Sequence, residues 1–143
     1  MNKQFVLSVV VVFVAVMAVG FVVHGALLHD DYAKLVPNVF RTPADAQAHF
    51  AYMLAGNLSM AIAITWIYRQ GRDASPWIGQ GLRFGLALVA LLTIPMYLIY
   101  FSVQPLPSDL VAKQIVFGGI GTVLLGLVTA AMNRGSASAP RPA

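Results

Sequence analysis

The sequence contains no cysteine and no glutamate, and only 10% of its 143 residues are charged. Without thiols, the chain can form neither disulfides nor thiolate metal sites, and thiol redox catalysis is excluded. A soluble domain carries roughly 25% charged residues, so this chain has too few to cover a globular surface in water. Because 59% of its residues are hydrophobic, lipid is the expected main solvent.

The few charges that are present lie outside the centres of the apolar runs. Ion-coupled transporters usually place an ionisable group at membrane depth, and small multidrug transporters need a glutamate in their first helix. The sequence therefore disfavours a transporter, which we keep as a third alternative. The net charge of +4 does not indicate a nucleic-acid partner, because the basic residues flank apolar runs instead of forming a stripe.

Four apolar runs predict four membrane-spanning helices, since about 20 apolar residues suffice to cross a bilayer. We place them at residues 5–28, 43–69, 77–103 and 109–133. The first run exceeds the roughly 7–15 residues of a signal-peptide core, so we expect a retained helix. The prediction is an all-α, antiparallel four-helix membrane bundle, with residues 1–134 as a single domain and residues 135–143 as a disordered tail.

Local signals predict where the helices begin and bend. Thr42 is a favourable N-cap residue, and Pro43 is favourable as the first helical residue. Asp45 lies in the first turn, where its negative charge suits the positive end of the helix dipole. Ser75–Pro76 repeats this pattern, and Ser108 or Asp109 is expected to cap the last helix. Pro95 is expected to kink the third helix, because it lacks a backbone N–H.

The distribution of basic residues predicts the orientation. With the N-terminus inside, six basic residues lie inside and three outside, which follows the positive-inside rule. We therefore expect a bacterial inner-membrane protein with both termini in the cytoplasm. The inner group is Lys3, Arg69, Arg72, Arg83, Arg134 and Arg141, and the outer group is Lys34, Arg41 and Lys113.

Two ridges of small residues predict helix packing, because small side chains let helices approach closely in lipid. Both ridges serve equally well for packing within the bundle or for self-association, and we favour the first use. The ridge on the second helix is Ala51, Ala55, Ser59 and Ala63, and the ridge on the fourth helix is Gly118, Thr122, Gly126 and Ala130.

The first apolar run ends in a polar stretch, Gly20–Tyr32, that is the foremost candidate for a site. His24 lies about 6 Å below Leu28 along a helix, at a level comparable to that of His49. Convergence of the two histidines, completed by His29, Asp30 or Asp31, would suit a divalent metal. This requires the first helix to end near Leu28.

The simpler alternative is that His24 bonds a neighbouring helix, while His29, Asp30 and Asp31 are solvated. A continuous helix would hold His24 and Asp31 about 10 Å apart, too far for one ion.

Two further polar features lie at membrane depth. Asn57 is expected near mid-bilayer, facing the bundle, where it either bonds another helix or contacts a quinone or lipid headgroup. Pro95 with Tyr97 and Tyr100 forms either a polar notch or a plain kink.

These observations leave three function classes open. The leading expectation is a non-enzymatic accessory protein that contacts the lipid bilayer and either self-associates or joins a membrane complex. The alternative is a small-ligand, metal or redox-cofactor protein, haem or quinone, with a site near the outer face built on His24, His49, Asn57 and Asp31. The third is a small transporter. No single cofactor is indicated.

Overall fold

The structure, a computed structural model, describes residues 2–134. These residues contain six helices and no strand. The predicted disordered tail, residues 135–143, lies outside the described part. The helices are α1 (Lys3–Leu27), α2 (His29–Ala33), α3 (Pro43–Ala48), α4 (Phe50–Gly71), α5 (Trp77–Val103) and α6 (Ser108–Asn133).

Four of the helices, α1, α4, α5 and α6, are long and apolar enough to span a membrane, at 25, 22, 27 and 26 residues. At 1.5 Å per residue, each exceeds the roughly 30 Å of a hydrocarbon core. Only 17–33% of the residues in their most apolar windows are buried inside the protein. This confirms an all-helical protein with four candidate spans whose outer faces are apolar.

The first helix ends where the site hypothesis requires. Its last turns, Phe21–Leu27, are wound more loosely than an α-helix. Leu28 then leaves helical geometry, with φ −110° and ψ 9°, and its side chain is fully buried. Because the chain breaks there, α2 folds back beside the end of α1.

The second predicted helix, 43–69, is interrupted at His49, which separates α3 from α4 and has φ −102° and ψ 6°. Thr42 caps α3 as expected, since its hydroxyl accepts a hydrogen bond from the Asp45 amide at 3.4 Å. The other cap predictions are wrong: neither α5 nor α6 has a side-chain cap.

Pro95 has a visible effect on α5. The turn before it, Val89–Thr93, widens to π-helical hydrogen bonding. The proline has no N–H to donate and its ring crowds the preceding turn, so a wide turn is a local way to relieve both defects.

The helices pack in the order α4, α1, α6, α5. α1 packs against both α4 and α6, and α5 packs against α6, whereas α4 and α5 barely touch. This order leaves a cleft between α4 and α5, with α1 and α6 at its base.

The closest packing joins α5 and α6 through glycines. A Cβ atom on Gly126 would lie 2.6 Å from the Gly81 carbonyl oxygen and 2.6 Å from the Gly85 Cα. On Gly85, a Cβ would lie 2.8 Å from the Val123 Cα. Backbone therefore meets backbone here, which only glycine allows.

The two predicted ridges have different environments. On α6, Gly126 and Ala130 are buried, and both approach Gly81 of α5. The α4 ridge, formed by Ala51, Ala55, Ser59 and Ala63, is exposed along its whole length. Within the described chain, α4 instead buries Ala61, Ile64, Thr65 and Tyr68. Packing of the α4 ridge inside the bundle is therefore the wrong expectation.

Candidate functional site

The cleft between α4 and α5 is the candidate site. Its volume is about 1020 Å³, and all four long helices contribute to its wall. His24 and Asn57, two of the predicted site residues, both line it. The remaining wall is mainly apolar and includes four methionines, Met17, Met53, Met60 and Met96.

Polar groups are concentrated at one end of this cleft, which we call the histidine end. The His24 Nδ1 lies 2.7 Å from the Tyr32 hydroxyl, and the His24 Nε2 lies 3.4 Å from the Tyr97 hydroxyl. The Gln114 Nε2 donates to the Tyr32 oxygen at 3.0 Å. Four side chains from α1, α2, α5 and α6 thus form one hydrogen-bonded chain.

The Gln114 amide favours one direction of donation along this chain. Because Gln114 donates to the Tyr32 oxygen, the Tyr32 proton is directed to the His24 Nδ1. Burial raises the pKa of Tyr32, which keeps its hydroxyl protonated and able to donate. A neutral imidazole that accepts at Nδ1 carries its own proton at Nε2. A donor N–H therefore points toward Tyr97 and the cleft.

The contact between His24 and Tyr97 is the weakest link of the chain. At 3.4 Å it is longer than an ordinary hydrogen bond, whose heavy-atom distance is about 2.7–3.2 Å. Tyr97 is 6% exposed and lies against Gly118, where a Cβ would approach its ring to 3.3 Å. The tyrosine is thus held in place while its hydroxyl remains weakly bonded.

Deeper in the cleft, two threonine hydroxyls are paired with each other, whereas the Asn57 amide is only weakly bonded. The Thr93 and Thr122 hydroxyls bond each other at 2.9 Å. Within the described chain, Asn57 makes one hydrogen bond, from its Nδ2 to the Met17 sulfur at 3.1 Å. Sulfur is a weak acceptor, so most of the hydrogen-bonding capacity of Asn57 is unused.

An ion pair flanks the histidine end. Lys113 donates to Asp31 at 2.7 Å, linking α6 to α2, and Lys34 lies 3.5 Å from the same carboxylate. The hydrogen bond from Lys113 is the main reason why the pKa of Asp31 is lowered. Asp31 therefore anchors α2 beside the cleft and is not a solvated acid.

The predicted partner of His24 is different from the observed one. His49 bonds within its own turn, with Nδ1 2.8 Å from the Asp45 carbonyl oxygen and 3.2 Å from the Asp45 carboxylate. Neither His49 nor Asp31 lines the cleft. Among the described residues, no group of three or more histidines and acids could hold a metal ion.

Sequence reasoning missed Tyr32 and Gln114 as site residues and considered Tyr97 only as part of a notch. Tyr97 is in the cleft, whereas Tyr100, its neighbour in the proposed notch, is 45% exposed and outside the cleft. Recognising Tyr32 required the break at Leu28, because a straight helix would carry it away from His24.

Comparisons with protein-family models, with curated proteins and with solved structures find no match for this chain.

Proposed function

We propose that the protein binds a membrane-dissolved amphiphile in the cleft, and that the ligand class is a prenyl quinone. The observation that carries the proposal is the apolar cleft of about 1020 Å³ that ends at the polar chain of His24, Tyr97 and Tyr32. Such ligands combine a long apolar tail with a headgroup that accepts hydrogen bonds.

The headgroup position is the gap between His24 and Tyr97. A quinone carbonyl has lone pairs and no proton, so it needs donors. The His24 Nε2–H donates to the Tyr97 oxygen only at 3.4 Å, and the Tyr97 O–H is a second donor beside it. A carbonyl oxygen that enters between them gains two ordinary hydrogen bonds and loses one long one.

The tail position is the methionine-lined part of the cleft. Methionine side chains are unbranched and adaptable, so they fit an irregular chain. A tail dissolved in lipid gains little from the hydrophobic effect on entering an apolar cleft. Selectivity for the ligand must therefore come from the headgroup hydrogen bonds.

The same polar chain is suited to move a proton. Tyr32, His24 and Tyr97 each donate and accept, and Gln114 orients the chain at its far end. A reduced quinol can donate its hydroxyl proton only to a nitrogen that carries none, so its binding requires the other His24 tautomer, in which Nδ1–H donates to the Tyr32 oxygen and Nε2 faces the cleft as the acceptor. The proposal covers binding and headgroup proton exchange, and it assigns no electron donor.

We further propose an antiparallel arrangement in the membrane. Contacts between α5 and α6 support it, because early Gly81 meets late Ala130, while late Tyr97 meets early Gly118. Basic-residue counts support an N-in, C-in orientation in a bacterial inner membrane. The histidine end then lies at the outer side.

Haem or metal binding is the less favoured ligand class. Both ring nitrogens of His24 already contact tyrosine hydroxyls, and His49 has its own partners on Asp45. An absorption spectrum of the purified protein with a Soret band would overturn the quinone assignment in favour of haem.

The experiment compares two tyrosine variants on α5. The dissociation constant of a short-chain prenyl quinone is measured on the detergent-purified protein. Tyr97→Phe removes one hydrogen bond worth about 1 kcal/mol, so binding should weaken roughly fivefold. Tyr100→Phe removes an exposed hydroxyl outside the cleft and should bind as the parent does. Equal affinities for all three proteins would refute the proposal.

One observation favours a second candidate function, self-association in an accessory role. The α4 ridge of small residues faces away from the rest of the chain. A second copy could approach that ridge closely. Ala55→Leu should then lower the oligomer mass in detergent, and an unchanged mass would count against this candidate.

A further inference from the structure

A second cavity lies at the opposite end of the bundle, which we call the arginine end. Its volume is about 360 Å³, and it is bounded by the end of α4, the turn 72–76, the start of α5 and the end of α6. Arg72, Trp77 and Arg134 line it, together with Ser75, Gln80 and Asn133. The quinone proposal uses none of these groups.

Positive charge is uncompensated at this end. All described ion pairs involve other cations, so Arg69, Arg72 and Arg134 face no carboxylate within the described chain. Arg69 stands over the Phe5 ring at 5.5 Å. Arg134 stands over the Trp77 ring at 5.2 Å.

The Arg72 side chain is held by a hydrogen bond to a backbone carbonyl and not by an ion pair with a carboxylate. Its Nη1 donates to the Asn133 carbonyl oxygen at 2.9 Å, which ties α4 to the end of α6. Burial first, and the nearby charge of Arg69 second, lower the pKa of Arg72. A bound anion would oppose this lowering, because an opposite charge favours the protonated guanidinium.

The one acid in the cavity wall is already occupied. Asp73 accepts from the Ser75 backbone amide at 2.7 Å and from the Ser75 hydroxyl, and Arg83 lies 3.9 Å away. The bonds from Ser75 lower the pKa of Asp73, so its charge is stabilised inside its own turn. It therefore leaves Arg72 and Arg134 unneutralised.

Two buried polar atoms at the arginine end also lack partners within the described chain, and one of them belongs to the cavity wall. Among the described residues, the Arg69 Nη1 and the Asn133 Oδ1 are buried without a hydrogen bond. Asn133 is 2% exposed and lines the cavity, where its Nδ2 is used by Ser8 and the Thr129 carbonyl. An open acceptor beside two cations suits a headgroup that has both a phosphate and a hydroxyl.

The geometry points to a binding site for the phosphodiester headgroup of an anionic phospholipid at the arginine end. Guanidinium groups bind phosphate oxygens through paired N–H donors. Tryptophan at a helix end is typical of headgroup depth, and Trp66, in the last turns of α4, is 57% exposed. Ile78 and Leu82, exposed and one turn apart on α5, offer a track for an acyl chain.

The test uses the full-length protein in detergent, with native mass spectrometry of bound lipid. Phosphatidylglycerol should be retained at least about tenfold more tightly than phosphatidylcholine, since charged hydrogen bonds are the strong ones. Arg134→Gln should reduce this preference several-fold, and it leaves the bond from Arg72 to α6 intact. Arg41→Gln is the matched control, because it removes an equal charge from a residue paired with Asp45 at the other end.

Arg72 is tested by a pair of variants. Arg72→Gln should lose most of the preference, whereas Arg72→Lys should retain it in part, because the charge remains. An unchanged far-ultraviolet circular dichroism spectrum checks folding in each case. If Arg41→Gln weakens binding as much as Arg134→Gln, the attraction is non-specific and the site is refuted.

A free phosphate is the other source of the same chemistry. Millimolar inorganic phosphate is added to the lipid-free protein, and the midpoint of thermal unfolding is measured. Stabilisation by phosphate with no preference for phosphatidylglycerol would overturn the phospholipid assignment. Stabilisation by phosphatidylglycerol vesicles but not by phosphate would support it.

Discussion

Replacement of Gly126 by alanine tests the packing of α5 on α6. The added Cβ would lie 2.6 Å from the Gly81 carbonyl oxygen and from the Gly85 Cα and nitrogen. Ordinary carbon contacts are about 3.5–4.0 Å, so the two helices must separate by roughly 1 Å. The obstructing atoms are backbone, and no side-chain rotation can remove them.

The expected cost follows from this separation. Overpacking a core costs about 1–3 kcal/mol, and here the loss of close backbone contact adds to it, so we expect about 2–3 kcal/mol. Gly56→Ala is the matched control, because a Cβ at Gly56 meets nothing within 4 Å. That change should be neutral or stabilising by about 0.5 kcal/mol.

The assay is unfolding by sodium dodecyl sulfate in mixed micelles, followed by circular dichroism. Gly126→Ala should unfold at a clearly lower detergent fraction than Gly56→Ala. Equal midpoints would refute the assigned helix packing. A change of oligomer mass with unchanged stability would instead make Gly126 part of an interface between copies.

Two further predictions concern the histidine end. Gly20 lines the cleft, and a Cβ atom there would meet nothing within 4 Å. Gly20→Leu should therefore fill part of the cleft and weaken quinone binding about tenfold, whereas Gly56→Leu, outside the cleft, should not. Equal affinities of the two variants would contradict this prediction. The lowered pKa of Asp31 means that its ion pair with Lys113 stabilises the fold above the ordinary carboxyl pKa of about 3.9 and is lost as pH falls through the folded-state pKa. Asp31→Asn should therefore reduce the drop in unfolding midpoint between pH 7 and pH 3, whereas the exposed neighbour variant Asp30→Asn should leave that drop unchanged.

The helices were predictable because they depend on local sequence. Each apolar run is long enough for one span, and the Thr42 cap is a signal within four residues. The predicted end of the first helix at residue 28 agrees with the observed end at Leu27 within one residue, and the main departure is the break at His49 within the predicted helix 43–69. The position of such a break depends on tertiary packing, as the full burial of the Leu28 side chain illustrates, and it cannot be read from amino-acid composition.

The site was only partly predictable. All faces of these helices are rich in apolar residues, so the sequence pattern does not show which face of each helix points toward the cleft. His24 and Asn57 were found as polar groups in apolar runs. Of the tyrosines that contact His24, Tyr97 was considered only beside Pro95 and Tyr32 was not singled out, since tyrosine is common at membrane interfaces. The convergence of His24 with His49 stays a prediction, and the observed contacts of both histidines lie elsewhere.

The small-residue ridges illustrate the same limit. The spacing of four residues is identical on α4 and α6, yet among residues 2–134 only the α6 ridge packs against another helix, at Gly81 and Gly85. Two helices approach closely only where both have small residues at the contact. A ridge of small residues on one helix does not show which other helix supplies the second face.

The order of the helices gives α4 an uneven attachment. At the arginine end it is tied by Arg72 to the Asn133 carbonyl, and the following turn is held by Gln80, which donates to the Asp73 and Ser75 carbonyls at 3.0 and 2.5 Å. At the other end, α4 is continued only through the break at His49 into exposed α3. Within the described chain, α4 is thus bonded across to α6 at the arginine end and is not bonded to α5 at the histidine end, so we expect a molecule from the bilayer to enter between α4 and α5 at the histidine end.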